Sequence, residues 1–180
     1  MRLPFFVTLA VGVASWSARA VTSPVPIRIT AADSSEAWFR FFRGEWRCSG
    51  GFPSGRKLEA TVSFTSDLGG KWLQYRHTDV APGSYRAGAL WGHQARDSGI
   101  VSLLHDNSSV RAYRSEGWRD EALVFVKDTS MLRIPGAPVG APDRFTYRRT
   151  SDSTYWFAWE LPRPGGVWAI GDSLTCRRAG

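Results

Sequence analysis

The sequence predicts an all-β domain: about ten antiparallel strands joined by sequential turns, arranged as an up-and-down barrel or a sandwich, with a short helix in front. Three observations carry this. From residue 44 onward, runs rich in valine, threonine and aromatic residues are punctuated by turn residues every eight to twelve positions. In KLEATVSFTS, Leu58, Ala60, Val62 and Phe64 alternate with Glu59, Thr61, Ser63 and Thr65, the period of a strand with one buried face. Beyond residue 43 no stretch spaces its apolar residues as a helix would.

In order along the chain, VTSPVPIRIT holds two prolines and no periodicity, so residues 21–33 are expected as an extended arm. A lid or plug helix over residues 34–43 follows. Asp33, Ser34 and Ser35 are its candidate N-caps, and Trp38, Phe39, Phe41 and Phe42 lie mostly on one side. That apolar face has to rest on the mouth or the base of the strand assembly. The strands then read GEWRCSGG, KLEATVSFTS, KWLQYRHTDV, SYRAGALWGH, IVSLLHD, VRAYRSEGW, EALVFVKD, RFTYRRT, TYWFAWEL and VWAIGDSLTCRR. Their turns include DLGG, QARDSG, NSS, SDS and PRPGG, and the longest connection is the proline-rich loop 129–142.

The ends and totals bound the setting. Residues 1–20 read as an export signal: Arg2 is the basic lead, LPFFVTLAVGVA an apolar run of twelve, and Ala18-Arg19-Ala20 a small-x-small cleavage site. The run falls short of the roughly 20 apolar residues a spanning helix needs, so no stable membrane span is expected. The formal charge of +7 becomes +5 once Arg2 and Arg19 are subtracted. Its basic residues are spread along the chain and interleaved with acids, and the basic pairs are only Arg56-Lys57, Arg148-Arg149 and Arg177-Arg178. A nucleic-acid partner, which calls for a concentrated patch, is not expected. Cys48 and Cys176, one near each end of the domain at residues 34–180, are expected to be bridged in a secreted or periplasmic setting.

The short helix, Gly44-Glu45-Trp46 at the start of the first strand, and about ten sequential strands ending in Arg177-Arg178 together resemble the calycin group: lipocalins, fatty-acid-binding proteins and nitrobindin-like barrels. DLGGKWLQ and GALWGHQARDSG stand where uncharacterised bacterial families of that group carry their turns, and the resemblance spans residues 36–178. It implies a closed barrel sealed at one end by the G-x-W tryptophan and an arginine. Gly44, Trp46 and Arg178 would then be closure residues. The residues support this independently. In a closed barrel the first and last strands pair. Setting Cys48 against Cys176 brings Trp46 near Arg178 or Leu174, and an arginine over the indole would be a cation–π contact. Gly50-Gly51 then read as barrel geometry and not as a phosphate loop.

A barrel of this size has room for a small, largely apolar ligand. Both faces of residues 71–79 are amphipathic, so Leu73, Tyr75 and His77 or Trp72, Gln74 and Arg76 point inward. Tyr85 and Trp91, then Val101, Leu103 and His105, then either Trp156 and Ala158 or Tyr155, Phe157 and Trp159, complete the candidate interior. No catalytic residues are assigned. The chain has no G-x-S-x-G elbow, P-loop or H-E-x-x-H, and His105 and Asp106 are sequence neighbours that face opposite ways. Asn107-Ser108-Ser109 reads as a polar turn. Nitrobindin-like barrels hold haem through a histidine near the C-terminal strands, and this chain has none after His105. Neither a cofactor nor a metal is expected, and His77 or His105 would be the only candidate haem ligands. The competing expectations are an envelope interaction module with a filled barrel and a barrel isomerase or hydrolase.

Overall fold

The structure is a computed structural model describing residues 39–94, 99–132 and 140–180. The expected signal, the arm and the start of the helix lie outside the described residues. So do the tip of the QARDSG turn and the middle of the proline-rich loop.

Alternation sets the strands, and the polar turns between them set their order. They are β1 (Gly44–Gly51), β2 (Lys57–Asp67), β3 (Trp72–Asp79), β4 (Arg86–Gln94), β5 (Gly99–Asp106), β6 (Val110–Ser115), β7 (Trp118–Arg119), β8 (Ala122–Lys127), β9 (Arg144–Ser151), β10 (Thr154–Pro162) and β11 (Trp168–Arg178). All lie in one antiparallel sheet whose first and last long strands pair, β1 with β11, and β6 pairs with β8 to close the circle. The result is a ten-stranded up-and-down barrel with β7 as a two-residue addition beside β8. VRAYRSEGW, expected as one strand, divides because Gly117 takes φ 97° and its amide donates to Ser115 Oγ. The chain turns out of the ladder there.

At one end β1 and β11 pair beneath the helical turn. Trp46 pairs with Arg178 and Cys48 with Cys176, and the two cysteines form a disulfide across β1 and β11. The Arg178 guanidinium lies 4.3 Å from the Trp46 ring centre and donates to the carbonyls of Phe41 and Arg43. Those carbonyls belong to the end of the helical turn over residues 39–42, so one side chain caps the helix and covers the indole. Trp46 Nε1 donates to the Phe42 carbonyl at 2.7 Å. Gly44 leaves the helix at φ 115°, where a β-carbon would also stand 3.1 Å from the Arg178 guanidinium.

Phe42 is the plug. Its ring meets Phe64, Trp91, Trp118, Tyr147 and Tyr155 at centroid distances of 5.0 to 5.8 Å. This half of the interior is a packed aromatic core. At the other end of β1, a β-carbon on Gly50 would stand 2.0 Å from the Ser173 carbonyl oxygen. Glycine there allows β1 and β11 to approach closely.

Candidate ligand-binding site

Strand direction places the turns at residues 52–56, 80–85, 107–109 and 163–167, together with the β8–β9 connection, at the end opposite the helix. Toward that end the packed core gives way to a cavity of about 880 Å³. Its apolar lining comes from Tyr75, Leu104, Phe145, Tyr147, Phe157, Trp159 and Leu174, while Phe52, Arg56 and the residue 80–85 turn belong to the rim. The rings that line it are continuous with the core. Tyr75 stacks on Trp91 at 5.9 Å, and Phe145 on Phe157 at 5.7 Å.

A polar column climbs one wall. Tyr75, His77 and Asp79 are alternate residues of β3, so the two-residue period aims all three inward. Tyr75 Oη lies 3.0 Å from His77 Nδ1, and His77 Nε2 lies 3.0 Å from Asp79 Oδ1. A carboxylate only accepts, so the proton sits on Nε2 and Nδ1 accepts from the Tyr75 hydroxyl. Burial lowers the His77 pKa, against the pull of Asp79, and favours the neutral ring this chain of bonds requires. Burial also raises the Tyr75 hydroxyl far above its usual range. The other Asp79 oxygen accepts from the Tyr85 amide at 3.3 Å. A β-carbon on Gly83 would stand 2.7 Å from the Asp79 side chain, so the turn folds over that carboxylate only because residue 83 has none.

Three more acids surround the cavity. Asp106 accepts from the amides of Ser108 and Ser109 at 2.8 Å and is paired with Arg111. Burial alone would raise its pKa, but these donors hold it below the ordinary value. Tyr85 Oη donates to it at 3.3 Å, and Asn107 pins the same corner by accepting from the Arg86 amide and donating to the Ser84 carbonyl. Asp143 is a buried anchor behind the wall. It accepts from Trp159 Nε1 at 2.9 Å and Tyr113 Oη at 3.1 Å, with Arg111 and Lys127 nearby, and so holds the Trp159 indole in place. Asp172, on β11 beside the irregular step opposite Trp159, accepts from the Trp159 amide, and its Oδ1 is enclosed without a hydrogen-bond partner. Burial, reinforced by the Asp79 charge, pushes its pKa up to about 6.

Of the candidate interior residues, Tyr75, His77, Tyr85 and Trp159 line this cavity. Trp91 is buried in the packed half. Trp72, Gln74 and Arg76 occupy the outer face of β3, since Leu73, Tyr75, His77 and Asp79 are the buried set. The Trp72 ring lies over Gly92 and that of His105 over Gly88, each on the neighbouring strand it pairs with. Trp156 is half-buried on the outer side of β10, opposite Arg148 and Thr175. On β5 the inward set is Ser102, Leu104 and Asp106, not Val101, Leu103 and His105. GIVSLLHD is apolar on both faces, and the register against inward Ala87, Ala89 and Trp91 decides.

Sequence reasoning missed Asp79, Asp106, Arg111, Tyr147 and Asp172. Asp79 is one alternation beyond His77, and Asp172 is one before Leu174, so an acid on an otherwise apolar face was the available signal. Among the described residues no three His, Cys, Asp or Glu side chains converge as metal ligands, and no helix is long and apolar enough to cross a membrane.

Comparison defines the class as a closed antiparallel β-barrel. Rv2717c from M. tuberculosis, a solved structure, is similar at a TM-score of 0.55 with 15% sequence identity, over 80% of this chain and 96% of that one. No protein-family model matches the chain, and no curated protein matches it in sequence.

Proposed function

We propose that this protein is an exported, calycin-like carrier that takes a small, largely apolar molecule into the open half of its barrel. The observation that supports this best is the division of the interior. One half is filled by rings around Phe42, and the other holds about 880 Å³ with aromatic walls. That volume lies within the range of small-molecule sites, roughly 300 to 1,000 Å³. A filled barrel, the expectation for a purely structural module, has no such space. The reading outside the cytoplasm is supported by the signal-like residues 1–20 and by the Cys48–Cys176 disulfide. The calycin reading is supported by Gly44, Trp46 and Arg178 at the sealed end.

Titration with the neutral fluorophore N-phenyl-1-naphthylamine tests the binding, together with native mass spectrometry of the purified protein. The expected result is saturable uptake at one site, weakened by Leu104→Trp, which fills the cavity. Absence of uptake, or uptake that the filling substitution leaves unchanged, would overturn the proposal.

A further inference from the structure

The cavity's charges differ in how far they are already satisfied. Arg56 and Lys57 are exposed at the rim, where water solvates them. Arg111 is paired with Asp106 and faces Asp143, so its charge is balanced even though its Nε has no acceptor. Asp79 is bound by His77 and the Tyr85 amide. His77 is held neutral by burial and contributes no positive charge. Asp172 differs from all of these: it lines the cavity, has an enclosed oxygen with no donor, and interacts unfavourably with Asp79 across the barrel. An enclosed acceptor without a donor is costly to leave unsatisfied. A ligand group that donates hydrogen bonds and carries positive charge relieves both problems. The rings of Tyr75, Tyr147, Phe157 and Trp159 in the same cavity suit the body of such a ligand and present faces that attract cations.

We propose that the cavity selects an organic cation: a molecule with an apolar body against the aromatic wall and a protonated amine hydrogen-bonded to Asp172, within the field of Asp79. This rests on the carrier reading and adds the ligand's chemical class. The amine leaves its donors in water when free and meets a charged acceptor when bound. The matching alcohol meets the same oxygen with one neutral donor, and the matching carboxylate is repelled.

The test uses 2-(1-naphthyl)ethylamine, 2-(1-naphthyl)ethanol and 1-naphthylacetate as matched probes, measured calorimetrically at pH 7.5. The amine is expected to bind about tenfold more tightly than either, the scale of one charge-assisted hydrogen bond. Asp172→Asn, verified as folded by its uptake of N-phenyl-1-naphthylamine, is expected to bring amine and alcohol within about twofold. With wild-type protein the amine's advantage is expected to shrink between pH 7.5 and 5, as Asp172 gains its proton. The charged groups that act on Asp172 are Asp79 from β3, which opposes its ionisation, and Arg56 from the 52–56 turn, which favours it, while His77 from β3 and Lys57 and Glu59 from β2 also line the cavity. Uptake of the neutral fluorophore with equal affinity for amine and alcohol would sink the cation reading and leave the carrier reading standing. Tighter binding of naphthylacetate would do the same and move the anchor to Arg56 and Arg111. If none of the four probes binds, the carrier reading falls as well.

Discussion

Asp172 makes the folded protein respond to pH in a way that a single substitution reveals. Its pKa is about 6 in the folded state against 3.8 for the unperturbed group, because burial and the Asp79 charge both oppose ionisation. Below pH 4 the carboxyl is protonated in both states and the shift has no effect. As pH rises from about 4 to 6 the unfolded chain releases this proton while the folded chain keeps it, so stability is lost across that window and stays lost above it. Two units at about 1.4 kcal/mol each give a penalty on the order of 3 kcal/mol at pH 8. Asp172→Asn removes the titration, and the amide oxygen still accepts from the Trp159 amide. The variant is therefore expected to match the wild type near pH 3.5 and to exceed it by about 2 to 3 kcal/mol at pH 8, or roughly 10 °C in melting temperature. His77 acts with the opposite sign, but it is present in both proteins and cancels in the difference. Urea unfolding of the pair across pH 3.5 to 8 measures this. A pH-independent difference, or a variant less stable than wild type at pH 8, would refute the reasoning.

Three further outcomes follow from the same contacts. Replacing Cys48 and Cys176 together by serine opens a link between residues 128 apart; the loop-entropy model gives a loss of about 5 kcal/mol, read by denaturant unfolding, and reductant should then have no further effect on the variant. Trp46→Ala removes the indole under Arg178 and its bond to the Phe42 carbonyl; about 3 to 5 kcal/mol should be lost, and near-UV circular dichroism should report loosened packing in the sealed half. Because burial lowers the His77 pKa, His77 takes stability away as pH drops below about 6.5, against the gain from Asp172; in the Asp172→Asn background, where that gain is absent, adding His77→Gln should flatten this part of the curve, and an unchanged slope would separate His77 from it.

Much of the barrel was legible because its signals are local. The alternation in KLEATVSFTS recurs as the buried set Ala60, Val62 and Phe64, and every expected turn separates strands, apart from the break at Gly117 within VRAYRSEGW. The pairing of the first strand with the last was legible too. Two cysteines, one G-x-W and a terminal arginine leave few ways to pair the first strand with the last, and Trp46 opposite Arg178 is one of them. The cavity was legible only in part. Tyr75 and His77 could be named, but a strand with two amphipathic faces does not say which one is inside, and GIVSLLHD, apolar on both, pointed the wrong way.

By itself, then, the sequence determined the all-β class, the strand order, the short helix and the cysteine pair, since each follows from period, turn chemistry or residue type within a few neighbours. Only the tertiary structure decided that Phe42 fills one half and leaves the other open, and that Asp79 on β3 and Asp172 on β11 share a cavity. Those two acids are more than ninety residues apart in the chain, and no local rule couples them. They meet because closing ten tilted strands sets all registers at once, and the side chains that face one another across the interior follow from that closure.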